Sequence, residues 1–312
     1  MGKTYVFVNQ KGGVGKTTSA LNIGAYLAEA GKTVLLVDFD SQANLSSGVG
    51  AKARPGIYEL LSGAAGAEQA VRKTAVPRLH VIPSSIDLAG AAVELIEQEN
   101  RNLFLKNALA PLKARYDFVL IDCPPSLGVL TYNGMAAADD ALIPMQCEYF
   151  ALEGLANLLG AIQRIQRSLN KSLGIGGIFF TMYDPRTRLA QDVVRQVSAY
   201  FKDKVFSTII PRNVRLSEAP SRGQPILLYD PQCSGARAYQ SLAQEVIERA
   251  SAQGGAAQAQ GPAAQGASTQ GAPQSPAAQA GAQQGGAAHG GAMPGGASGA
   301  GGAGKGGNGS AA

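Results

Sequence analysis

The sequence has few cysteines, and none of them is placed for pairing. Cys123, Cys147 and Cys233 are the three cysteines among 312 residues, and no two of them form a C-x-x-C motif. This spacing argues against a structural zinc site, a redox-active dithiol and a disulfide framework. We therefore expect the protein to work in a reduced, cytoplasmic setting.

Long apolar runs are also missing. The N-terminus begins with a predicted strand where a secretory signal peptide would have its apolar region. No apolar run approaches the roughly 18 residues that a membrane span requires. We expect a soluble protein that makes no membrane contact.

The last fifth of the chain lacks acidic residues altogether. Residues 254–312 are almost wholly Gly, Ala, Gln, Ser and Pro, with Lys305 as the single charged residue. Such a segment cannot bury enough apolar surface to offset its ordering entropy, so we predict a disordered low-complexity tail. Residues 1–253 then form one α/β domain.

A glycine-rich loop dominates what the sequence does contain. The run VNQKGGVGKTT occupies residues 8–18, between a predicted strand and a predicted helix. Its glycines let successive backbone N–H groups face one point, where the first helical turn adds partial positive charge. In the P-loop pattern G-x-x-x-x-G-K-[ST], Lys16 contacts phosphates and Thr17 ligates Mg²⁺. Gln10 stands where the first glycine belongs, and Lys11 is an additional cation.

Acidic residues follow two predicted strands beyond this loop. Asp38 and Asp40 end the run TVLLVDFD, and Asp122 ends the run FVLID. The carboxyl ends of parallel strands meet at one edge of a sheet, where the phosphate loop also lies. The sequence therefore predicts a Mg²⁺ site with a Walker B acid at Asp122.

Strands and helices alternate along the chain, which predicts a doubly wound, mostly parallel sheet. The predicted strands are residues 5–8, 33–37, 79–82, 118–122, 141–144, 177–181 and 205–210. The predicted helical segments are residues 17–30, 57–61, 88–115, 151–169 and 234–250.

Positive charge is concentrated late in the folded part. Residues 164–222 contain eleven Lys or Arg and four Asp or Glu, although the net charge of the whole chain is only +5. A local excess of this kind predicts an anionic partner.

Several motifs together resemble the deviant Walker ATPases of the ParA/MinD group. The three general motifs are KGGVGKTT at 11–18, VDFDSQAN at 37–44 and IDCPPS at 121–126. Two further runs, TMYDPRT at 181–187 and IIPRNVRLSEAPS at 209–221, resemble the chromosomal ParA (Soj) branch. The resemblance covers the predicted domain but not the tail, and it implies a P-loop NTPase fold of the SIMIBI-like type.

The resemblance assigns roles to the residues at the predicted sheet edge. It implies an ATP-dependent sandwich homodimer in which Lys11 reaches the phosphates of the other subunit. Asp40 would orient or activate the attacking water, Asp122 would be the Walker B acid, and Asp38 would support the metal site. The residues implied to bind ATP and Mg²⁺ in the loop are Lys11, Gly12, Gly13, Val14, Gly15, Lys16, Thr17 and Thr18.

The resemblance also suggests base contacts and a DNA surface. No N-K-x-D guanine motif is present, since NKSL at 170–173 lacks the acid, so adenine is favoured. The suggested adenine contacts are Met182, Pro211 and Asn213. The residues aligned with non-specific DNA binding are Arg186 and Arg215, with Arg188, Arg222, Lys202 and Lys204 as supporting candidates. They fall in the basic segment found by counting.

The implied function is DNA partitioning. ATP would drive dimerisation, the dimer would bind double-stranded nucleoid DNA without sequence preference, and a ParB/Spo0J-type centromere-binding protein would trigger hydrolysis. Alternative cargoes are a plasmid or a large protein complex. A MinD-like membrane-cycling ATPase would need a basic amphipathic helix near the C-terminus, and a nitrogenase-reductase relative would need cysteines that hold a cluster.

Overall fold

In the computed structural model, seven strands form one sheet with the order β3-β4-β2-β5-β1-β6-β7. All neighbouring strands are parallel except the pair of β3 and β4. The structure describes residues 2–51, 54–148 and 151–259. The strands are β1 (Lys3–Phe7), β2 (Val34–Asp38), β3 (Arg72–Lys73), β4 (Leu79–Ile82), β5 (Phe118–Asp122), β6 (Asp140–Gln146) and β7 (Gly174–Thr181). The predicted fold class is confirmed.

Helices cover both faces of this sheet, as expected for parallel strands that are buried on both sides. They are α1 (Lys16–Glu29), α2 (Asn44–Gly48), α3 (Ile57–Leu61), α4 (Ala67–Ala70), α5 (Leu88–Glu94), α6 (Phe104–Leu109), α7 (Val129–Ala137), α8 (Ala151–Ser168), α9 (Arg188–Phe201), α10 (Arg215–Glu218), α11 (Ile226–Tyr229) and α12 (Ser234–Ala259). Short 3-10 turns follow α5, α6, α9 and α10.

Side-chain alternation along the strands divides the apolar interior into two cores. In β2, Leu35 and Val37 join the core that includes α5, α7, α8 and α9, whereas Val34 and Leu36 join the core that includes α1 and α12. This is the period of two that a strand imposes on its side chains. Both cores therefore fix the carboxyl edge of the sheet, where the predicted site residues lie.

The predicted strand at 205–210 is wrong. This segment runs beside β7 but contributes only an isolated bridge between Val205 and Ile178. The N–H groups of Phe206 and Ile210 still donate to Ile178 O and Phe180 O of β7, at 2.8 and 2.9 Å. Those of Ser207 and Thr208 donate instead to the Glu245 carboxylate of α12, both at 2.8 Å. The Glu245 side chain thus replaces part of the hydrogen bonding that a strand at 205–210 would form with β7.

The predicted helical segment 88–115 is interrupted. It divides into α5, α6 and two 3-10 turns, and Asn100 between them has a left-handed backbone with φ of 59°. A residue with a left-handed backbone cannot continue a helix. At the start of α6, the Leu105 N–H donates a hydrogen bond to the buried Asn133 side chain at 3.1 Å. Helices α7 and α9 were not predicted from the sequence.

The predicted tail lies mainly outside the described residues, and the domain boundary after residue 253 stays a prediction. The backbone of α12 continues to Ala259, past the predicted end at Ala250. Among the described residues, no helix is both long and apolar enough to cross a membrane.

Candidate nucleotide site and arginine surface

The glycine loop between β1 and α1 has the backbone that the motif predicts. Gly13 and Gly15 have positive φ values of 74° and 87°, a conformation that favours glycine. Side chains from β6 and β7 hold the loop carbonyls: Gln146 Nε2 donates to Gly13 O at 3.1 Å, and Thr181 Oγ1 donates to Val14 O at 2.8 Å. With its carbonyls held in this way at the start of α1, the loop is suited to receive an anion.

Lys16 is the cation that belongs to this loop. The residue is only 6% exposed, and its Nζ donates to Lys11 O at 3.2 Å. Burial lowers the pKa of the ammonium group, while the nearby Asp122 carboxylate acts in the opposite direction. A largely buried cation beside an anion-binding loop favours a strongly charged ligand such as a polyphosphate.

Asp122 ends β5 at the centre of the sheet edge. It is 1% exposed, it pairs in register with Asp38 of β2, and its Oδ1 is buried without a hydrogen-bond partner among the described residues. Burial, and then the Asp38 charge, raise the pKa of Asp122 to about 8, against a hydrogen bond from the Thr17 side chain. An unpartnered carboxylate oxygen beside a threonine hydroxyl is the hard-oxygen donor set that Mg²⁺ prefers. The residues present therefore fit the predicted metal.

Both carboxylate oxygens of Asp38 accept hydrogen bonds within the chain, and its support of the metal site stays a prediction. Its Oδ2 accepts hydrogen bonds from Ser46 N at 2.7 Å and Ser46 Oγ at 2.6 Å, and its Oδ1 accepts from Asp40 N at 3.3 Å. Burial raises the pKa of Asp38 to about 6, while the Ser46 hydrogen bonds oppose the shift. Both oxygens thus hold the loop that follows β2 through its residues Asp40 and Ser46.

Asp40 lies where this loop reaches the surface. Asp40 is partly exposed, and its Oδ1 accepts a hydrogen bond from the Gln42 N–H at 3.0 Å. The backbone N–H of Asp40 donates a hydrogen bond to Asp38 Oδ1. A solvent-accessible carboxylate on a fixed backbone can orient a water molecule or accept its proton.

Lys11 points to the molecular surface, with its side chain half exposed. Its Nζ forms an ion pair with Glu148, which follows β6, and its backbone N–H donates to Asn9 Oδ1 at 3.0 Å. A half-exposed cation at the edge of its own loop is accessible to a second subunit.

A cavity of about 240 Å³ opens beside the loop and brings the predicted base contacts together. Its lining includes Gly15, Thr18, Thr181, Met182, Ile210, Pro211, Arg212, Asn213, Val214, Leu216, Ser217 and Tyr239. Met182, Pro211 and Asn213, which the resemblance suggested, are all in this lining. The Asn213 side-chain amide forms two hydrogen bonds within the chain. Its Nδ2 donates to Ser234 Oγ at 2.9 Å, and its Oδ1 accepts the Arg215 backbone N–H at 2.8 Å.

The two principal predicted DNA residues lie on neighbouring segments. Arg186 is in the turn between β7 and α9, and Arg215 begins α10. The two segments are joined by backbone hydrogen bonds, from Tyr183 N to Ile210 O and from Arg212 N to Tyr183 O, both at 3.0 Å. Sequence reasoning missed Arg212, although it stands in the same basic run. The other predicted DNA residues, which are all exposed, are Arg188, Lys202, Lys204 and Arg222.

Each principal arginine has carboxylate partners in the chain. The guanidinium of Arg186 contacts Asp184 through two hydrogen bonds of 2.9 and 2.7 Å, which hold the pKa of that carboxyl at about 2. Arg215 contacts Glu218 at 2.9 Å and Asp230 at 3.5 Å. We name Arg186, Arg212 and Arg215 the arginine surface.

Comparisons with known proteins agree with these features. A protein-family model described as an AAA domain matches residues 2–175. The chromosome-partitioning ATPase Soj of Treponema pallidum is 64% identical over 249 residues, which are 80% of this chain and 98% of that protein. The chromosome partitioning protein ParA of Caulobacter vibrioides is 50% identical over 252 residues, which are 79% of this chain and 94% of that protein.

Solved structures of related proteins contain nucleotide. A Mycobacterium smegmatis structure described as cobyrinic acid a,c-diamide synthase with bound ADP and magnesium has a TM-score of 0.71 and 36% identity, covering 81% of this chain and 97% of that one. The septum site-determining protein MinD of Pyrococcus horikoshii, complexed with Mg-ADP, has a TM-score of 0.68 and 28% identity, covering 81% and 99%. The family resemblance found in the sequence motifs is thereby confirmed: the chain belongs to the Soj/ParA family of chromosome-partitioning ATPases.

Proposed function

We propose that this protein is a nucleotide-controlled DNA-binding switch that partitions chromosomal DNA. It binds ATP at the glycine loop, forms a homodimer, binds double-stranded DNA without sequence preference, and releases it after hydrolysis. A ParB/Spo0J-type protein that binds the centromere stimulates that hydrolysis. The working location is the nucleoid.

This proposal depends on one observation: a single segment of chain belongs to both the nucleotide cavity and the arginine surface. The segment 211–217 lines the cavity with Pro211 and Asn213, and it also contains Arg215. Asn213 Oδ1 accepts the backbone N–H of Arg215 at 2.8 Å, so a ligand that moves Asn213 also moves the start of α10. This arrangement supports control of DNA binding by the nucleotide.

The residues of the sheet edge divide the chemistry of hydrolysis among them. Lys16 and the loop amides bind and orient the phosphates of ATP, and Asp40 orients the attacking water or accepts its proton. Thr17 and Asp122 would hold Mg²⁺, which supplies positive charge against the phosphate oxygens. Asp38 keeps the backbone of Asp40 in place through its hydrogen bond.

The position of Lys11 supports the dimer. Its side chain is half exposed and paired only with the equally accessible Glu148 within the described chain. An exposed ion pair of this kind has a free energy of about 0–1 kcal/mol, so exchange of Glu148 for a phosphate of a second subunit's ATP costs little. ATP then becomes part of the interface between two chains.

The deciding experiment measures the ATPase rate of the full chain with and without duplex DNA and a candidate ParB-type protein. We expect a slow basal rate and strong stimulation only when both are present. Lys16→Ala serves as the control for contaminating activity. A rate that neither addition changes, together with DNA binding that is the same with and without ATP, would contradict the proposal.

A further inference from the structure

A second cavity lies between α1 and α12, at the end of α1 that is opposite the glycine loop. Its volume is about 610 Å³, and its wall is formed by the end of α1, by Thr208 and by residues of α12 between 240 and 247. Sites for small molecules in proteins have volumes of roughly 300–1,000 Å³. None of the residues in this wall lines the nucleotide cavity. We name it the α1–α12 cavity.

The wall of the α1–α12 cavity contains a buried phenol without a partner. Tyr26 is only 4% exposed, and its hydroxyl forms no hydrogen bond among the described residues. Buried polar groups are nearly always hydrogen-bonded, so an unused hydroxyl of this kind needs an explanation. The hydroxyl is not one of the fully enclosed polar atoms of the described chain, so it keeps contact with the cavity that Tyr26 lines. It is therefore available to a ligand.

Two carboxylates give the cavity negative charge. Glu29 is exposed and Glu245 is half-buried, and neither forms an ion pair among the described residues. Glu245 is fixed in place by the backbone N–H groups of Ser207 and Thr208. Burial, and then the charge of the nearby Glu29, raise the pKa of Tyr26 to about 12. The phenol is thus a neutral hydroxyl group at physiological pH, beside a charged carboxylate.

No lysine or arginine lines the cavity within the described part of the chain. Basic residues close to these segments, none of which pairs with either glutamate, are Lys32, Arg78, Arg237 and Arg249. Arg249 is engaged elsewhere, because its guanidinium lies over the Phe206 ring and donates to Val205 O at 2.7 Å. Arg78 donates to Gly31 O at 3.0 Å. The two glutamates of the cavity are therefore open to a cation from outside the chain.

The chemistry of the wall selects the kind of cation. An anion such as phosphate would be repelled by the two carboxylates. A metal ion is disfavoured, because the described residues contain no group of three or more His, Cys, Asp or Glu side chains that could hold one. An aliphatic ammonium group has three N–H donors, which carboxylate and phenol oxygens can accept. Its methylene chain can pack against Ala30, Ala243 and Ile247, which also line the cavity.

We propose that the α1–α12 cavity binds a small aliphatic amine, whose ammonium group contacts the Glu29 carboxylate and the Tyr26 hydroxyl. The second carboxylate, Glu245, favours a diamine over a monoamine. This binding does not rest on the proposed function, since no wall residue belongs to the nucleotide cavity or to the arginine surface.

Binding is tested by isothermal titration calorimetry with 1,5-diaminopentane and the full chain, at moderate salt and without nucleotide or DNA. We expect saturable binding with a Kd of about 0.1 mM, which is reasonable for a ligand of seven heavy atoms. 1,5-Pentanediol has the same length and hydrogen-bonding ends but no charge, and it should bind at least about tenfold more weakly. The affinity for the diamine should fall as salt is added, because Glu29 is exposed.

Two variants locate the binding in this cavity. Glu29→Gln should weaken binding of the diamine by about three- to tenfold, and Tyr26→Phe by about two- to fivefold, because each removes one acceptor of the ammonium group. Tyr26→Phe should unfold at the wild-type temperature, since the hydroxyl has no partner in the chain. The matched control is Glu97→Gln, which makes the same charge change at an exposed residue after α5 that forms no ion pair among the described residues.

Three results would overturn the proposal. The first is an absence of saturable binding, or equal binding of the diamine and the diol. The second is an equal loss of affinity in Glu29→Gln and Glu97→Gln, which would mean attraction by net charge alone. The third is tighter binding of Nα-acetyl-lysine amide than of the diamine, which would assign the cavity to a lysine side chain of a partner protein. Wild-type affinity in Tyr26→Phe would exclude the phenol from the site.

Discussion

The nucleotide edge and the arginine surface differ in how their charged groups are held. At the edge, Lys16 is 6% exposed and Asp122 is 1% exposed, and both are fixed by the ends of central elements of the fold. On the surface, the Arg186 side chain is 86% exposed and that of Arg215 is 52% exposed. Charges interact strongly where water is excluded and weakly where it screens them.

This difference predicts two kinds of response to substitution. A buried charge that contacts the ligand acts with its neighbours as one unit, so the loss of one group removes the function. Exposed arginines contribute separately to phosphate binding, so each loss weakens affinity by a limited factor that depends on salt. The nucleotide edge should therefore behave as a switch, and the arginine surface as a graded contact.

The largest effect is expected for Lys16→Ala. Removing the buried ammonium group eliminates the main positive side chain of the phosphate loop, and nucleotide-dependent dimerisation and DNA binding should both disappear. Sedimentation and gel shift with and without ATP would measure this. If the variant still bound DNA in response to ATP, the loop would not control the arginine surface.

Asp40→Ala should separate binding from turnover. The partly exposed carboxylate accepts one hydrogen bond among the described residues, from the Gln42 N–H, so its removal leaves the phosphate loop and Lys16 intact. Loss of a group that accepts or orients a proton lowers the rate by about 10²–10⁴-fold. We expect an ATP-bound dimer that stays on DNA, measured by single-turnover hydrolysis and by dissociation from DNA. Turnover at the wild-type rate would exclude Asp40 from this role.

Arg215→Glu should weaken DNA binding while ATP binding is retained. The substitution removes a phosphate contact and adds a repulsive charge, so affinity should fall by about tenfold and the slope of affinity against salt should become shallower. Lys106→Glu on α6 is the matched control, because it makes the same charge change at an exposed position outside the basic segment 164–222. An unchanged gel shift at moderate salt would place the DNA surface elsewhere.

Changing the pH should affect the nucleotide edge more than the arginine surface. Folding raises the pKa of Asp38 to about 6 and of Asp122 to about 8, so the folded chain binds more protons than the unfolded chain between about pH 4 and pH 8. The free energy of unfolding of the nucleotide-free protein should therefore decrease as pH rises through this window. Thermal unfolding would detect a shift of several degrees, and Asp122→Asn should reduce it. A melting temperature independent of pH would contradict this account of the two carboxyls.

The features of the nucleotide edge that could be predicted from the sequence are those that short stretches of chain determine. Phe118–Asp122 was predicted at its observed bounds, because an apolar run buried on both faces can be read locally and its terminal acid must reach the sheet edge. Lys16 followed from the spacing of the glycines. Both depend on short stretches of chain.

What the sequence did not reveal depends on contacts between distant segments. The partner of Lys11 is Glu148, more than a hundred residues away, and no local pattern marks that pair. The failure of the predicted strand at 205–210 has the same origin, since the competing acceptor, Glu245, lies on α12. The hydrogen bonds between Asp38 and Ser46 also needed the fold, because the sequence shows only that Asp38 and Asp40 end a predicted strand.

The smallest expected effect is an increase in DNA affinity. Asp184 accepts two hydrogen bonds from Arg186, so DNA phosphates must compete with this carboxylate for the guanidinium. Water screens an exposed pair of this kind, and Asp184→Asn should therefore strengthen DNA binding only by about two- to fivefold. The gain should be larger at low salt and should vanish when Arg186→Ala is combined with it, which a double-mutant cycle in a DNA-binding titration would measure. An equal gain in the absence of Arg186 would mean that Asp184 repels DNA directly, and the arginine surface would then be tuned by net charge alone.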